Sequence, residues 1–279
     1  MPIDPDVAVG ARLPDLTFAW TESDVLLHQL AIGAHELHHT LEGDRLQVLP
    51  SFGVVAPTFH ETAPPPLDLP GCDIDLAQVV HGAQEVTVHR PLPTSGEATL
   101  RTRITEVWDK GRAAVIWQEG EASTPDGAPL WTVRSSIFVR GEGGWGGPRG
   151  ESAAVSLPER APDVESTYDV WPQQAMLYRL CGDRNPLHAD PEFARAAGFP
   201  APILHGLCTW GIVLRELTEA VLDGDATRVS GFRARFAGVV FPGETLRIRG
   251  WETDDGIVAA VTVGDDDRPA LADCVLDPA

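Results

Sequence analysis

The sequence is poor in basic residues. Its 279 residues include 21 Lys and Arg against 41 Asp and Glu, so the formal net charge is -20, and Lys110 is the only lysine. A surface this acidic is repelled by the phosphates of nucleic acids and of anionic lipids. We therefore predict that neither a nucleic acid nor a membrane is a partner, and that any phosphorylated ligand must be held by a few local cations.

Long apolar runs and paired cysteines are also absent. No stretch of about 18 apolar residues occurs, so no transmembrane helix is predicted, and the first residues lack the basic and apolar parts of a secretory signal. The four cysteines are scattered without a Cys-x-x-Cys pair, which favours neither a zinc site nor a disulfide framework. These absences predict a protein of the reducing cytoplasm.

The chain does contain an internal repeat. Pro93–Arg103 and Pro242–Arg249 share a proline, a Gly-Glu pair and a Leu- and Arg-containing strand start. The apolar segments Val25–Gly33 and Met176–Gly182 match in the same way, and each ends 60 positions before the proline of its own half. Because two separate matches share one spacing, we infer a tandem duplication with an offset near 149 residues.

The duplication predicts two units of one fold. The Gly-rich run Gly141–Gly150 is typical of a flexible surface linker. We place the N-terminal unit at 1–140, the linker at 141–166 and the C-terminal unit at 167–279. Each unit has an apolar helical segment followed by alternating strand patterns, which in the first unit cover 97–108, 112–123 and 130–140. This order predicts an α+β fold, with antiparallel sheets wrapped on a helix and the two units paired edge to edge.

One segment of the second half combines acid–base side chains with stiff backbone residues. It is Gly-Asp-Arg-Asn-Pro-Leu-His at Gly182–His188. Pro186 restricts φ and removes a donor, while Gly182 permits unusual backbone conformations. We predict a rigid turn that holds Asp183 and His188 towards one pocket. A carboxylate and an imidazole that share one water can act as general acid and base.

A second motif, Leu204-His205-Gly206, opens an apolar helix. The first N–H groups of a helix have no partner within the helix, and they lie at the positive end of its dipole. Gly206 has no side chain to block the approach of a substrate carbonyl. We therefore predict that this N–H group polarises a thioester oxygen as negative charge develops on it.

Together, Gly182–His188 and Ile203–Thr209 resemble the (R)-specific enoyl-CoA hydratase 2 family of MaoC-like dehydratases, especially the hydratase 2 part of peroxisomal multifunctional enzyme type 2. The resemblance covers most of the chain and includes Arg90–Pro93, Asp109–Gly111 and the Gly-rich linker. It implies a double hot-dog fold, a pseudo-dimer of two hot-dog units in one chain, which agrees with the duplication.

The resemblance also implies roles for individual residues. Asp183 and His188 would be the catalytic pair, Asn185 would assist them, and the Gly206 N–H would be the oxyanion donor. The positions implied to contact the acyl-CoA are His81, Gly82, Lys110, Arg184, Pro186, Leu187 and Phe236. A packing histidine and a solvated turn remain the alternatives for His81 and Lys110. Neither a metal nor a cofactor is implied, since CoA is part of the substrate.

Two departures from the family pattern bear on these roles. Many relatives have a lysine where this chain has Gly238, so a phosphate contact is expected to be missing there or transferred to a neighbouring arginine. The first half has Gly33-Ala34 where the second has Gly182-Asp183, with no Asn-Pro-x-His after it. We predict one active site per chain and a catalytically degenerate N-terminal unit. Its Pro-rich segment 62–66 would be non-helical and leave room for bulky acyl groups.

The implied reaction is the reversible syn addition of water to a trans-2-enoyl-CoA, as in fatty acid and related lipid metabolism. Asp183 would take a proton from the water that attacks C3, and His188 would deliver a proton to C2; the exchange of these roles stays open. The alternatives are a biosynthetic (3R)-hydroxyacyl thioester dehydratase, a hot-dog thioesterase and a non-catalytic acyl-CoA-binding subunit. The oligomeric state is open, with a homodimer as one alternative.

Two further patterns have competing interpretations. His35-Glu-Leu-His-His39 matches the zinc-protease pattern H-E-x-x-H, which requires a helix and a third ligand. Flanking glycines argue against that helix, so we predict an exposed loop or strand edge without zinc. Four arginines alternate along two predicted strands and form either one basic stripe or cross-strand pairs with acids. They are Arg233, Arg235, Arg247 and Arg249.

Overall fold

The computed structural model describes residues 3–64, 68–74, 78–151 and 154–279. Its helices are α1 (Pro5–Ala8), α2 (Glu22–Ala31), α3 (Leu37–Thr40), α4 (Ser51–Val55), α5 (Gln174–Tyr178), α6 (Pro191–Ala196) and α7 (Gly206–Leu222). Its strands are β1 (Leu16–Trp20), β2 (Val79–Val88), β3 (Gly96–Asp109), β4 (Ala113–Ser123), β5 (Pro129–Arg140), β6 (Val164–Asp169), β7 (Val229–Phe236), β8 (Thr245–Thr253), β9 (Gly256–Val263) and β10 (Arg268–Pro278). None of the described helices is both long and apolar enough to cross a membrane.

The ten strands form one antiparallel sheet whose order repeats the duplication. The order is β1-β3-β4-β5-β2 in the first half and β7-β10-β9-β8-β6 in the second, so the second half is the first in reverse. The halves join where β2 pairs with β7, from Ala83 opposite Arg235 to Thr87 opposite Gly231. The predicted α+β class and the edge-to-edge pairing are confirmed.

The long strands of the first half follow the alternating patterns of the sequence. β3, β4 and β5 begin and end within two residues of the predicted 97–108, 112–123 and 130–140. Side chains of a strand alternate between the two faces of its sheet, so an apolar–polar alternation marks a strand with one face in the core. β6 begins at Val164, inside the segment 141–166 that the sequence analysis assigned to the linker.

The central helix differs in length between the halves. α7 has 17 residues, of which 11 are buried, including Trp210, Ile212 and Leu214. A helix that is apolar on most sides belongs in a core. The corresponding place in the first half is occupied by α4, which has only 5 residues and continues into the short 3₁₀ turn Ala56–Thr58. Of the Pro-rich segment 62–66, Thr62–Pro64 is non-helical, and the remainder lies outside the described residues.

The Gly-rich run after β5 is held against the β3–β4 hairpin. The Asp109 carboxylate accepts hydrogen bonds from the N–H groups of Gly111, Gly144 and Gly146, at 2.7, 2.8 and 2.7 Å. A Cβ on Gly150 would overlap the ring of Trp108. The glycines therefore permit close packing and backbone donation to a buried carboxylate, so this part of the predicted flexible linker packs on the hairpin.

Three of the four arginines that alternate along β7 and β8 pair with acidic residues. The guanidinium–carboxylate distances are 3.1 Å for Arg233–Asp277, 2.8 Å for Arg235–Asp273 and 3.3 Å for Arg247–Asp267. Arg249 lies opposite Glu165 in the pairing of β8 with β6. Pairing with acids is therefore the correct alternative for Arg233, Arg235 and Arg247, so the four residues do not form one unpaired basic stripe.

Candidate active site

The predicted catalytic segment forms a tight turn between α5 and α6. Gly182 has a φ of +106°, in the region that favours glycine. A Cβ at this position would overlap the carbonyl oxygen of Thr58, which belongs to the first half. The glycine therefore serves two purposes, since it turns the chain and lets the second half pack closely on the first.

Two short side chains stiffen this turn. The Asp183 carboxylate accepts the N–H of Asn185 at 3.0 Å, and the Asn185 side-chain oxygen accepts the N–H of Leu187 at 3.0 Å. Asn185 thereby caps the 3₁₀ turn Pro186–His188, in which Pro186 occupies a position that needs no donor. The structure thus gives Asn185 a positioning contact within the turn, and Pro186 and Leu187 belong to the same turn.

His188 is placed with one nitrogen fixed and one available. The side chain is 8% exposed, and its Nδ1 lies 2.9 Å from the carbonyl oxygen of Ile203. Because a carbonyl can only accept, Nδ1 carries the hydrogen, and the Nε2 of the neutral ring presents a lone pair. Burial lowers the pKa of His188, and the nearby Asp183 carboxylate partly offsets this effect.

Asp183, His188 and His205 converge. Each offers a potential ligand or proton-binding atom, and these atoms all lie within 4.8 Å of one another. One water with two hydrogen bonds of about 2.8 Å can span such a distance. The predicted placement of Asp183 and His188 at one site is therefore present in the structure.

His205 is a residue of this site that the sequence analysis did not single out. It is 1% exposed, and its ring stacks on His188 with centroids 3.8 Å apart. Its Nε2 lies 3.3 Å from the backbone oxygen of Asp183. Burial moves the pKa of His205 well below its usual value, and the charge of His188 lowers this pKa further by a smaller amount. Its position directly before Gly206 in the Leu-His-Gly motif was the available signal.

The start of α7 brings a free backbone donor to the same place. Gly206 is the first helical residue, and its N–H has no acceptor in the part of the chain that the structure describes. The ring of Phe236 lies close enough that a Cβ on Gly206 would be 3.0 Å from it. The predicted oxyanion donor and Phe236 are thus adjacent, and a side chain at position 206 would crowd the Phe236 ring.

His81 reaches this site from the first half. Its ring centroid lies 4.6 Å from that of Phe236, and its buried Nε2 has no hydrogen-bond partner among the described residues. Burial lowers the pKa of His81 to about 4, while the charge of Asp183 acts in the opposite direction. Gly82 follows in a bulge of β2, where a Cβ would lie 2.6 Å from the hydroxyl of Ser136.

The two remaining predicted substrate contacts are Lys110 and Arg184. Lys110 is at the tip of the β3–β4 hairpin, with its ammonium 4.7 Å from the ring centroid of Trp108. A row of paired residues leads from His81 through Ile137 and Ile116 to Val107, three positions before Lys110. Val107 is therefore about 14 Å from His81 at ~4.8 Å per strand, and Lys110 lies about 10 Å further along the chain at ~3.3 Å per residue, at the same end of the sheet as His81. The Arg184 Nε donates to the Glu61 carbonyl at 3.4 Å.

The departure at position 238 has a steric reason. A Cβ on Gly238 would overlap the carbonyl oxygen of Pro269. The neighbouring Arg268 donates to the carbonyl of Val239 at 3.2 Å, but it is also paired with Glu244 and Asp266. A phosphate would therefore have to compete with two carboxylates for this arginine.

The segment 35–39 does not follow its prediction. Leu37–Thr40 is a helical turn, and His39 is completely buried, so the prediction of an exposed loop or strand edge was wrong for this residue. The reason is tertiary, because α7 of the second half packs over the segment and Glu219 of α7 lies 3.2 Å from His39.

The fold and the site define a two-unit antiparallel protein in which a carboxylate and two imidazoles converge near the free N-terminal end of a central helix. Models of two protein families match the chain: the MaoC like domain at residues 153–270 and the MFE-2 hydratase 2 N-terminal domain at residues 18–141. A solved structure, the MaoC-like dehydratase from Phytophthora capsici, has a TM-score of 0.93 at 30% identity, covering 99% of this chain and 98% of that chain.

Two curated relatives extend this similarity. The chain is 56% identical over 268 residues to the enoyl-CoA hydratase ChsH3 of Mycobacterium tuberculosis, covering 94% of this chain and 93% of that protein. It is 37% identical over 260 residues to the peroxisomal multifunctional enzyme type 2 of Mus musculus, covering 90% of this chain and 35% of that larger protein. The chain belongs to the enoyl-CoA hydratase 2 family of MaoC-like proteins, and the predicted double hot-dog fold is confirmed.

Proposed function

We propose that this protein is an (R)-specific 2-enoyl-CoA hydratase, a hydro-lyase that also catalyses the reverse dehydration of (3R)-3-hydroxyacyl-CoA. The observation that carries the proposal is the convergence of Asp183 and His188 within 4.8 Å beside the free N-terminal end of α7. Hydration of an enoyl thioester requires a positioned water, a proton carrier and a donor for the thioester oxygen, and the arrangement of Asp183, His188 and the Gly206 N–H fits these three requirements.

The tautomer of His188 supports a specific proton route. Since Nδ1 donates to Ile203, the free Nε2 can accept one hydrogen of the water while Asp183 accepts the other. As the water oxygen bonds to C3, its proton passes to Nε2, and the imidazolium is stabilised by the Asp183 carboxylate. Nε2 then returns the proton to C2 on the same face. One proton leaves the water and one reaches carbon, so no external acid is needed.

The Gly206 N–H would hold the thioester oxygen as the enolate forms. A preorganised donor of this kind typically lowers the activation barrier by about 2.7–4 kcal/mol. His205 would keep His188 in place by stacking on it. The route uses neither a metal nor a redox cofactor, since every proton transfer is assigned to a side chain of the site.

The substrate in this proposal is an acyl-CoA thioester of fatty acid or related lipid metabolism. Its nucleotide phosphates would extend along the sheet end from His81 towards Lys110, the only lysine in a chain of net charge -20. The short α4 supports the assignment of the acyl group to the N-terminal unit, 1–140, and of catalysis to the C-terminal unit, 167–279. All four cysteines are free thiols, which supports a reducing, cytoplasmic location. A homodimer is proposed as the assembly.

The test is a hydration assay of the purified chain with trans-2-enoyl-CoA thioesters of several lengths. We expect loss of the ultraviolet absorbance of the conjugated thioester and formation of the (3R)-hydroxy product by chiral chromatography. Release of free thiol without hydration would instead identify a thioesterase. Saturable binding without turnover of any thioester would identify a binding subunit. Formation of the (3S) product would contradict the stereochemical part of the proposal.

A further inference from the structure

A second histidine cluster lies at the other end of α7. Glu219 is 13 positions after Gly206 on this helix, so at ~1.5 Å per residue the cluster is about 20 Å from the start of α7. The Nε2 atoms of His38 and His39 lie 3.1 and 3.2 Å from the same Glu219 oxygen. The side chains of His38 and Glu219 are 34% and 22% exposed, whereas that of His39 is fully buried.

The hydrogen bonding of His39 leaves its buried nitrogen without a partner. Its Nδ1 lies 3.2 Å from the carbonyl oxygen of Gln47, which can only accept, so Nδ1 carries the hydrogen. The Nε2 then presents a lone pair, and it has no hydrogen-bond partner in the described part of the chain. This nitrogen lies 3.2 Å from a carboxylate oxygen of Glu219 without a hydrogen bond between them, so two acceptors lie side by side, and one cation bound by both would satisfy both.

The distances in the cluster agree with those of a transition-metal site. The ligand atoms of His38, His39 and Glu219 all lie within 4.8 Å of one another. Nitrogen and oxygen ligands bind zinc at about 2.0–2.1 Å, so two of them at a tetrahedral angle are about 3.3 Å apart. The two His–Glu distances are close to that value. A histidine whose other nitrogen donates to a backbone carbonyl is the usual arrangement for a metal ligand.

Charge and access also favour a cation. Glu36, Glu216 and Glu219 surround the single guanidinium of Arg215, so the region carries more negative than positive charge. The cluster lies in the last turn of α7, where the helix dipole favours positive charge. His38 also lines a surface cavity of about 510 Å³, which gives solvent access to one ligand. Gly224 lies beside the ligands, where a Cβ would be 2.7 Å from a Glu219 oxygen.

We propose that His38, His39 and Glu219 bind one divalent transition-metal ion of the zinc class, with water as the fourth ligand. The ion joins the first half of the molecule to the central helix of the second. The match to H-E-x-x-H in the sequence suggests His35 and His39 as ligands, but His35 is 79% exposed and turned towards Glu36. The folded chain uses the adjacent pair of histidines and takes its carboxylate from the other half. This proposal is independent of the hydratase function.

The test is a Zn²⁺ titration of the metal-stripped full chain by calorimetry, with metal content measured after dialysis. We expect one Zn²⁺ per chain, and at least about 100-fold weaker binding in His38→Ala and in Glu219→Gln, because each removes a direct ligand. His38→Ala removes a partly exposed side chain, so a folded protein is expected. His35→Ala is the matched control from the same segment, and its affinity should equal that of the unchanged chain.

Two further measurements locate the ion. Co²⁺ in place of Zn²⁺ should give intense visible absorption bands of a tetrahedral site, and His38→Ala should lose them. His188→Ala alters the catalytic cluster and should retain the Zn²⁺ affinity. The proposal is overturned if no saturable binding occurs, if His38→Ala and Glu219→Gln bind as tightly as His35→Ala, or if only His188→Ala loses the ion.

Discussion

The two halves of this molecule share one topology but place their corresponding histidines in different surroundings. His188 of the second half corresponds, at the 149-residue offset, to His39 of the first. Both donate from Nδ1 to a backbone carbonyl, that of Ile203 or that of Gln47. The first half therefore retains the oriented imidazole, although it has Ala34 in place of Asp183 and α4 in place of a long central helix. Duplication preserved the scaffold, and the neighbours of each histidine decide its chemistry.

The largest expected effect is a loss of kcat, and it should occur at His188 but not at His39. Asp183→Ala or His188→Ala should lower kcat by about 10²–10⁴-fold, because each removes a group that handles the proton of the attacking water. His39→Gln should leave kcat within about twofold, since this residue is not part of the proposed reaction. Steady-state hydration kinetics on folded samples, checked by circular dichroism, will compare them. If His39→Gln lost as much kcat as His188→Ala, a single active site per chain would be contradicted.

A second comparison concerns the two corresponding glycines. Gly182 and Gly33 have φ values of +106° and +79°, and a Cβ on either would overlap a neighbouring group. Gly182→Ala and Gly33→Ala should each lower the free energy of unfolding by about 1–3 kcal/mol or more, as measured by urea denaturation. Only Gly182→Ala should also lower kcat of the folded enzyme, by about tenfold, because it displaces Asp183. An unchanged kcat would show that the turn tolerates this shift.

A third prediction concerns His28, a completely buried histidine of the first half. Burial lowers its pKa from 6.5 to about 3. Between these pH values the unfolded chain binds a proton that the folded chain excludes, so stability is complete above pH 6.5 and falls as the pH is lowered. This group contributes a slope of about 1.4 kcal/mol per pH unit.

Replacing His28 with Leu removes that titration and fills the same space with an apolar side chain of similar volume. The unfolding free energy of His28→Leu should therefore depend less steeply on pH than that of the unchanged chain between pH 6 and 4. Urea denaturation at several pH values will measure the difference. Parallel curves for the two proteins would mean that His28 is protonated in the folded state.

The smallest expected effect is at Lys110. Lys110→Ala should raise KM for the CoA substrate by about fivefold and leave kcat unchanged, because an exposed phosphate contact is worth about 1 kcal/mol. The difference should shrink at high salt, where such contacts are screened. Arg184→Ala is the comparison on the catalytic side of the site, and a rise in KM for that variant alone would assign the phosphate contact there.

Much of the fold could be predicted because its signals are local or repeated. The strand boundaries of β3, β4 and β5 follow from alternation over many residues and from turn sequences between them. Two matches with a common spacing revealed the second unit without any knowledge of contacts. The rigid turn predicted to carry the catalytic residues was recognisable for the same reason, since Gly182, Asp183 and Pro186 lie within one short segment.

Contacts between the halves could not be predicted in this way. Thr58 is 124 positions before Gly182, and His81 lies on a strand of the other half from Phe236, so no local pattern relates them. His205 was visible beside Gly206, but its stacking on His188 depends on how α7 enters the core. The cluster of His38, His39 and Glu219 likewise joins residues about 180 positions apart.

The sequence by itself therefore determined the duplication, the α+β class and the candidate acid–base residues, because each depends on residues close together in the chain or on a repeated spacing. Only the tertiary structure decided which imidazole faces Asp183, which one faces Glu219 and which glycines are indispensable. Burial and hydrogen-bond direction depend on neighbours that are distant in sequence, and those neighbours meet only when β2 pairs with β7 and α7 fills the core.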